Sequence, residues 1–283
     1  MPEGHTIHRL ARELGTRLAG GPVRACSPQG RFAAGAASID GHPLARAEAH
    51  GKHLLARFDH QRSRLWVHVH LGIYGRLTFG QAPAPAPIGL VRLRLEGPRA
   101  WADLRGANTC ELLDAAGRDA LIARLGPDPL RRDADPDRAW VRMQRSRAPV
   151  ATLLMDQSVL AGVGNIYRAE ILFRHGVDPM LPGRALAREV WDAMWADLQV
   201  LMRAGVRTGR IDTVRPEHDP RVTGRAPRRD RHGGEVYVYR RAGQHCHVCA
   251  TPVASAVLAG RNLFWCPRCQ PPGATGAGLA ARV

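Results

Sequence analysis

Ile7, Leu10, Leu14 and Leu18 recur at helical spacing, and Gly20-Gly21-Pro22 breaks the pattern, so the chain opens on one amphipathic helix. Short β-like runs follow at Val23 to Cys26, Leu54 to Phe58, Leu65 to His70, Leu77 to Phe79 and Leu90 to Leu95, each bounded by Gly, Pro or Asp. Trp101 to Leu113 reads as the last strands of this half. Short strands at this spacing predict an antiparallel sandwich or barrel. Ala82-Pro83-Ala84-Pro85-Ala86-Pro87 is low in complexity and reads as an exposed loop.

From Asp119 the periodicity turns helical. The Pro- and Asp-rich stretch 124–136 looks like a connection between domains. Helices are predicted at Pro136 to Gln144, Pro149 to Leu160, Ile166 to His175 and Ala185 to Ala204. Val190, Trp191, Met194, Trp195, Leu198 and Leu201 give the last of these a broad apolar face, which reads as core. Arg203 to Arg241 holds 11 arginines against 5 acidic residues, with several Pro and Gly, and is read as a long mobile loop that meets a phosphate backbone or is simply solvated. The Gly/Ala/Pro-rich residues after Cys269 read as a disordered tail.

Charge changes the picture more than length does. In 283 residues, 41 basic side chains stand against 25 acidic ones, a net +16. Such an excess points to a polyanion, most often nucleic acid, though a membrane surface or plain solubility also fits it. No apolar run reaches the ~18 residues of a membrane span and no signal-peptide pattern opens the chain, so it reads as a cytoplasmic protein without membrane contact. Lys52 is the only lysine among the 41 basic residues. Arginine keeps its charge at any working pH, whereas lysine is a compact amine that can lose a proton, so Lys52 is a candidate for chemistry, with chance survival as the alternative.

Three motifs carry chemistry. Cys246-His247-Val248-Cys249 and, after 16 residues, Cys266-Pro267-Arg268-Cys269 form two CxxC knuckles whose spacing fits a closed tetrahedral zinc site. Cys26 and Cys110 stand apart and read as buried thiols, and Gly260-Arg261-Asn262 between the knuckles puts Arg261 at or near a hairpin tip. Asp156 to Arg168 runs through two glycines into a new helix with Asn165 in an N-cap-like place, an ordinary helical turn or, in so basic a chain, a phosphate clamp. His70-Leu71-Gly72-Ile73-Tyr74-Gly75 is a glycine-bounded turn, either a wedge for a base stack or a capped hairpin. At the other end, Pro2 is either a common second residue that merely starts a helix well, the plainer reading of these residues alone, or, once Met1 is removed, a free secondary amine at the start of that helix. Such an amine adds to an aldehyde-like carbon to give an iminium, with Glu3 beside it to move protons.

Together, Pro2-Glu3-Gly4, Gly51-Lys52-His53-Leu54-Leu55, the stretch Gln157 to Arg168 and Gly260-Arg261 inside a Cys₄ knuckle resemble the Fpg/Nei family of DNA glycosylases, and the opening Met1-Pro2-Glu3-Gly4-His5-Thr6 resembles its endonuclease VIII branch. The resemblance implies an α+β chain. Its parts are a catalytic N-terminal β-sandwich flanked by helices (1–118), a linker (119–135), a helix–two-turn–helix domain with the Arg-rich loop (136–240), a Cys₄ zinc finger hairpin (241–270) and the tail (271–283). It implies a monomeric bifunctional glycosylase and AP lyase of base excision repair, which removes oxidised bases, pyrimidines foremost, from duplex DNA and cuts the strand by β,δ-elimination.

By the same resemblance, Pro2 forms the Schiff base and Glu3 carries the proton. Lys52 contacts DNA and assists β-elimination. Asn165 and Arg261 hold the phosphates flanking the lesion, with Arg261 serving δ-elimination, and Arg124 stands near the DNA. Ile73 and Tyr74 lie in the intercalating loop. Cys246, Cys249, Cys266 and Cys269 hold one structural zinc, and no organic cofactor is implied. A competing reading, a zinc-containing DNA- or RNA-binding protein without catalysis, explains the charge, the knuckle and the glycine turn but leaves Pro2-Glu3 and the lone lysine without a purpose. A metal-dependent nuclease is weaker still, because a Cys₄ site has no open position.

Overall fold

The structure is a computed structural model, and it describes residues 2–60, 63–230 and 234–276. The chain forms two compact units, Met1–Arg124 and Leu125–Val283. In the first, helix α1 (Gly4–Leu18) is followed by β1 (Pro22–Cys26), α2 (Ala33–Ile39), β2 (His42–His50), β3 (His53–His60), β4 (Ser63–His70), β5 (Arg76–Gln81), β6 (Val91–Glu96), β7 (Ala100–Arg105), β8 (Thr109–Leu113) and α3 (Ala115–Ala123). All strand pairs are antiparallel, in the order β5-β7-β6-β1-β2-β3-β4-β8. β1 joins the two halves of the sandwich. Its first residues, Pro22 and Val23, pair with β2, while Arg24 to Cys26 pair with β6.

The apolar stripe of α1 reads as its periodicity predicts, with Ile7, Ala11, Leu14 and Leu18 buried in one core with Leu44, Leu54 and Phe58. Each such leucine contributes roughly 1.5–3 kcal/mol on burial. The opposite face of β3 and β4 carries Leu55 and Trp66, which Leu121 of α3 covers in a small second core. That packing ties α3 to the first unit, which runs to Arg124. Cys26 does not read out as a buried thiol. β1 alternates exposed and buried positions and places Cys26 outward.

The second unit holds α4 (Pro136–Gln144), α5 (Val150–Leu153), α6 (Asn165–Arg174), α7 (Arg188–Thr208), α8 (Pro220–Thr223) and a hairpin of β9 (Ala254–Leu258) and β10 (Arg261–Trp265). Asp135 caps α4 by accepting from the Asp137 N–H at 2.9 Å, with Pro136 in the first turn where its missing N–H costs nothing. α7 buries Trp191, Met194, Trp195, Leu198 and Leu201 as predicted and ends at Gly209 with φ 74°. No helix among the described residues is long and apolar enough to cross a membrane.

Three expectations need correction. The helix read at 149–160 stops at Leu153, because Gln157 turns its side chain back on the loop. Its amide nitrogen donates to the carbonyls of Met155 and Val163, both at 3.0 Å, and its oxygen accepts from Gly162 N–H at 3.0 Å. The Arg-rich segment is not a free loop. Glu170, fully buried, accepts from the Thr213 hydroxyl at 2.6 Å and from the N–H groups of Tyr237, Val238 and Tyr239 at 2.7, 2.9 and 2.8 Å. In the region read as a tail, residues 271–276 are fixed to Val177 and Asp178. Asp178 donates its N–H to Ala274 O at 2.9 Å, and Gly273 N–H donates to the Asp178 carboxylate at 2.8 Å. The remainder of that call, residues 277–283, and Arg231 of the Arg-rich stretch lie outside the described residues.

An ion pair fixes the end of α6. Asp197 on α7 accepts from Arg174 Nε at 2.6 Å and Nη2 at 2.9 Å, and meets His175 at 3.1 Å. Burial alone would raise its pKa, but the hydrogen bonds from His175 and Arg174 outweigh it and bring the carboxyl to about 2. A depressed folded-state pKa stabilises above the unfolded value of 3.8, and that stability is lost as pH falls toward about 2. Asp197→Asn is therefore expected to lose about 2 kcal/mol at neutral pH, with the gap to wild type closing across that acid window in urea titrations.

Candidate active site and nucleic-acid contacts

In the first unit, Pro2 is half-buried and stands two residues before α1. Glu3 is the cap residue of that helix and is fully buried. Its backbone carbonyl accepts from Thr6 N–H at 2.9 Å, while its carboxylate makes no capping bond. His5 in the first turn is held down to about pKa 4, first by burial and then by His8, so the helix start carries a neutral ring.

Lys52 lies in the two-residue turn between β2 and β3, after Gly51 with φ 57°. Histidines surround it. His50 and His53 close the hairpin as a cross-strand pair, and His70 on β4 is the next partner of His53, with ring centroids 5.0 Å apart. His53 is held down to about pKa 3, by burial first and then by His68, His70, Arg124 and His50. His70 is also lowered, by burial, His68 and Lys52. Arg124, the exposed residue capping the C-terminus of α3, is thus close enough to act on His53.

The turn after His70 presents Ile73, 51% exposed, and Tyr74, 83% exposed. Leu71 O accepts from Gly75 N–H at 3.0 Å. A Cβ on Gly75 would lie 2.3 Å from that carbonyl oxygen, and Gly72 has φ 66° against the side chain of Asn108. Both glycines are therefore required by the geometry, and the two apolar side chains are held outward at a real energetic cost.

In the second unit, Gly164 is the cap residue of α6, and Asn165 is its first helical residue rather than the N-cap. The Asn165 side chain is buried and reaches across instead. Its amide donates to Asn262 O at 3.0 Å, the same carbonyl that accepts from Arg168 Nη2 at 2.9 Å, and Arg168 also donates to Asn165 Oδ1. These bonds pin the start of β10 to the start of α6, one residue from Arg261. The β9–β10 connection has positive φ at both central residues, Ala259 (48°) and Gly260 (72°), so Arg261 begins β10 beside the tip, exposed.

The four knuckle sulfurs, Cys246, Cys249, Cys266 and Cys269, lie within 4.8 Å of one another. Individual Sγ–Sγ separations are 3.9 Å for Cys246–Cys269, 3.4 Å for Cys249–Cys266 and 3.5 Å for Cys249–Cys269. A tetrahedron of thiolates around zinc has sulfurs about 3.8 Å apart, so the donor set fits Zn²⁺ and leaves no open position. The zinc is structural. Cys249→Ser or Cys269→Ser is expected to abolish stoichiometric zinc in metal analysis and to lower DNA affinity by about tenfold or more, because β10 loses its anchor. Metal-free protein with wild-type affinity would contradict this.

Sequence reasoning missed His68 and Glu111, which meet only because β4 pairs with β8. His70, Gln157 and Arg168 lay in stretches already singled out, but no role of their own was read for them.

Comparison with known proteins follows this geometry. Residues 1–110 match the formamidopyrimidine-DNA glycosylase N-terminal domain, 125–216 the formamidopyrimidine-DNA glycosylase H2TH domain, and 243–272 a zinc finger found in FPG and IleRS. Endonuclease 8 1 of Mycobacterium tuberculosis is 52% identical over 274 residues, covering 95% of this chain and 100% of that protein. A formamidopyrimidine-DNA glycosylase of Thermomicrobium roseum is 32% identical over 293 residues, covering 96% and 98%. Among solved structures, MutM in complex with carbocyclic 8-oxo-G containing DNA aligns with TM-score 0.76 over 95% of this chain and all of that one. At 19% identity, that match speaks to the fold. The chain belongs to the Fpg/Nei family of DNA glycosylases.

Proposed function

We propose that the chain is a bifunctional DNA glycosylase and AP lyase of base excision repair that acts through a Schiff base on Pro2. The observation that supports this most is the position of Pro2 at the mouth of α1, with Glu3 buried beside it and the lone lysine in a turn of the same unit. A helix N-terminus disfavours a protonated amine, which keeps the Pro2 nitrogen nucleophilic. That nitrogen attacks C1′ of a nucleotide drawn out of the stack, and the bond from C1′ to the base breaks. Glu3 supplies and removes protons at the sugar ring. Loss of the C2′ proton with expulsion of the 3′ phosphate is β-elimination, assisted by Lys52. Expulsion of the 5′ phosphate is δ-elimination, assigned to Arg261.

Asn165, Arg261 and Arg124 contact phosphates in this scheme, although the Asn165 side chain is already bonded to Asn262 and offers its remaining donor. Ile73 and Tyr74 occupy the gap left in the stack. The greater identity to Endonuclease 8 1 than to the formamidopyrimidine enzyme favours oxidised pyrimidines in duplex DNA as substrate. The net charge of +16 supports work on DNA, and in this reading the chain acts as a cytoplasmic monomer on the nucleoid. Borohydride treatment of a mixture with abasic DNA is expected to leave a covalent adduct on the N-terminal peptide. A protein that binds DNA and gives no adduct is the non-catalytic zinc-containing binder.

A further inference from the structure

Among the described residues of the first unit, four large apolar side chains stand exposed, and the scheme above uses two of them. Ile73 and Tyr74 form the wedge turn, while Ile88 at 76% exposure and Leu90 at 70% have no part in it. All four lie at one end of the sheet. Arg105, the last residue of β7, pairs with Arg76, the first of β5, on one side and with Val91, the first of β6, on the other. Residues 73–75 lead into Arg76 and residues 88–90 lead into Val91, so the two apolar turns flank the end of β7. A Cβ on Gly106, just beyond that end, would lie 3.4 Å from Tyr74 O. Two strand spacings separate β5 from β6, which sets the turns about 10 Å apart.

The second turn is fixed from beneath. The connection from β5 to β6 runs back along the sheet through Pro83, Pro85 and Pro87, whose rings restrict its backbone. Asp103, fully buried, accepts from Arg94 Nε at 2.7 Å and Nη2 at 2.9 Å, and from Arg105 Nη2 at 2.7 Å. Both arginines direct a further N–H to the connection itself. Arg94 Nη1 donates to Pro85 O, and Arg105 Nε donates to Ile88 O at 3.0 Å. Gly89 has φ 70°, and its carbonyl accepts from Val91 N–H at 3.0 Å, a three-residue turn centred on Leu90. A buried ion network therefore holds the backbone of a turn whose two aliphatic side chains face water. Exposing them is unfavourable, and such exposure marks a contact surface.

We propose that Ile88 and Leu90 are a second apolar contact on DNA, seated against the sugars of the minor groove a few nucleotides from the wedge. Wedge side chains enter a duplex from the minor groove and kink it toward the major groove. That groove is about 6 Å wide, so it takes the tip of a turn and not a flat face. At a rise of about 3.4 Å per nucleotide, turns about 10 Å apart span about three steps. Arg76, exposed and with no ion pair or hydrogen bond among the described residues, adds positive charge at the same end. A protein partner would need about 1,000 Å² of interface, far more than two turn tips offer. The occupant is duplex DNA beside the lesion, and a contact made to sugars is blind to sequence. Its effect is to stabilise the bent duplex from which a nucleotide has been extruded. It rests on the reading of Ile73 and Tyr74 as the wedge.

The test is equilibrium binding of an Ile88→Ser, Leu90→Ser double variant to a long duplex with a stable abasic analogue at its centre. The variant is expected to bind roughly 30-fold more weakly, the effect of withholding about half of two aliphatic side chains from burial. On a duplex cut back close to the lesion on the side that the turn reaches, wild type and variant are expected to bind alike. Cut back on the other side, the gap remains. The melting temperature stays at the wild-type value, since both positions are exposed, and shows that the variant folds. Equal binding of wild type and variant to the long duplex overturns the proposal, as does a gap that persists on both shortened duplexes. Unchanged DNA binding beside a wild-type self-association that the variant lacks, seen by sedimentation, also overturns it and assigns the turn to a second copy. An Ile73→Ala, Tyr74→Ala variant tests the reading beneath. If that variant binds the long duplex as wild type does while the serine variant is weakened, the wedge reading fails and the contact at Ile88 and Leu90 stands.

Discussion

A chain carrying any residue in front of Pro2, whether a retained Met1 or a remnant of a tag, is expected to lose borohydride trapping and strand cutting at abasic sites. The fall should be on the order of 10⁴-fold or more, the scale seen when a covalent catalyst loses its nucleophile. An acylated proline nitrogen is an amide whose lone pair is delocalised into the carbonyl, so it cannot add to C1′. DNA affinity should change little, because the side chains proposed to contact phosphate lie elsewhere in the chain. Pro2→Gly is a milder case. A glycine amine still forms a Schiff base but lacks the ring that fixes the nitrogen at the start of α1, and a partial loss is expected. The measurement is single-turnover cutting and trapping on one abasic duplex, with mass spectrometry of each N-terminus. A preparation that keeps Met1 and cuts at the full rate rules out the Pro2 mechanism.

Much of the site was legible because its chemistry is local. Two CxxC pairs declare four thiolates whatever surrounds them, and an N-terminal proline or a lone lysine is visible by its type. Helix α1 was legible from Ile7, Leu14 and Leu18 because one face of it is core. β2 was missed because His42 to His50 alternates Ala with Arg, Glu and His and contains no β-branched residue. α2 was missed because Ala33 to Ile39 is built of small side chains around a glycine and reads as a loop. The contact between His68 and Glu111 was illegible for a different reason. His68 and Glu111 are 43 residues apart and meet only because β4 pairs with β8 in one register, which no periodicity encodes. Asn165 was read as an N-cap from its place after two glycines, but a tertiary acceptor, the carbonyl of Asn262, competes for its side chain and wins.

Glu170→Ala is expected to be the most destabilising single change in the second unit, costing about 3–5 kcal/mol, as removal of one partner from a buried charged network does. The helix α6 that carries it is buried from Asn165 to Phe173, so the carboxylate has no route to water. It is instead the acceptor for three successive backbone N–H groups, Tyr237 to Tyr239, and for the Thr213 hydroxyl. Those donors sit on a stretch without helix or strand, and removing the acid leaves them unpaired in the interior at roughly 1–3 kcal/mol each before relaxation. The segment rich in arginine is thus ordered by an acidic residue 67 positions before it, which is why charge counting read it as a free loop. Glu170→Gln separates packing from charge. It keeps the volume but turns one acceptor into a donor facing N–H groups, so it is expected to recover only a minor part of the loss. Thermal and urea melts measure the stability, and limited proteolysis should show new cleavage within 213–240 before the rest of the unit opens. Glu170→Gln as stable as wild type, with that segment still protected, would show that the segment is held by its apolar contacts and not by the carboxylate.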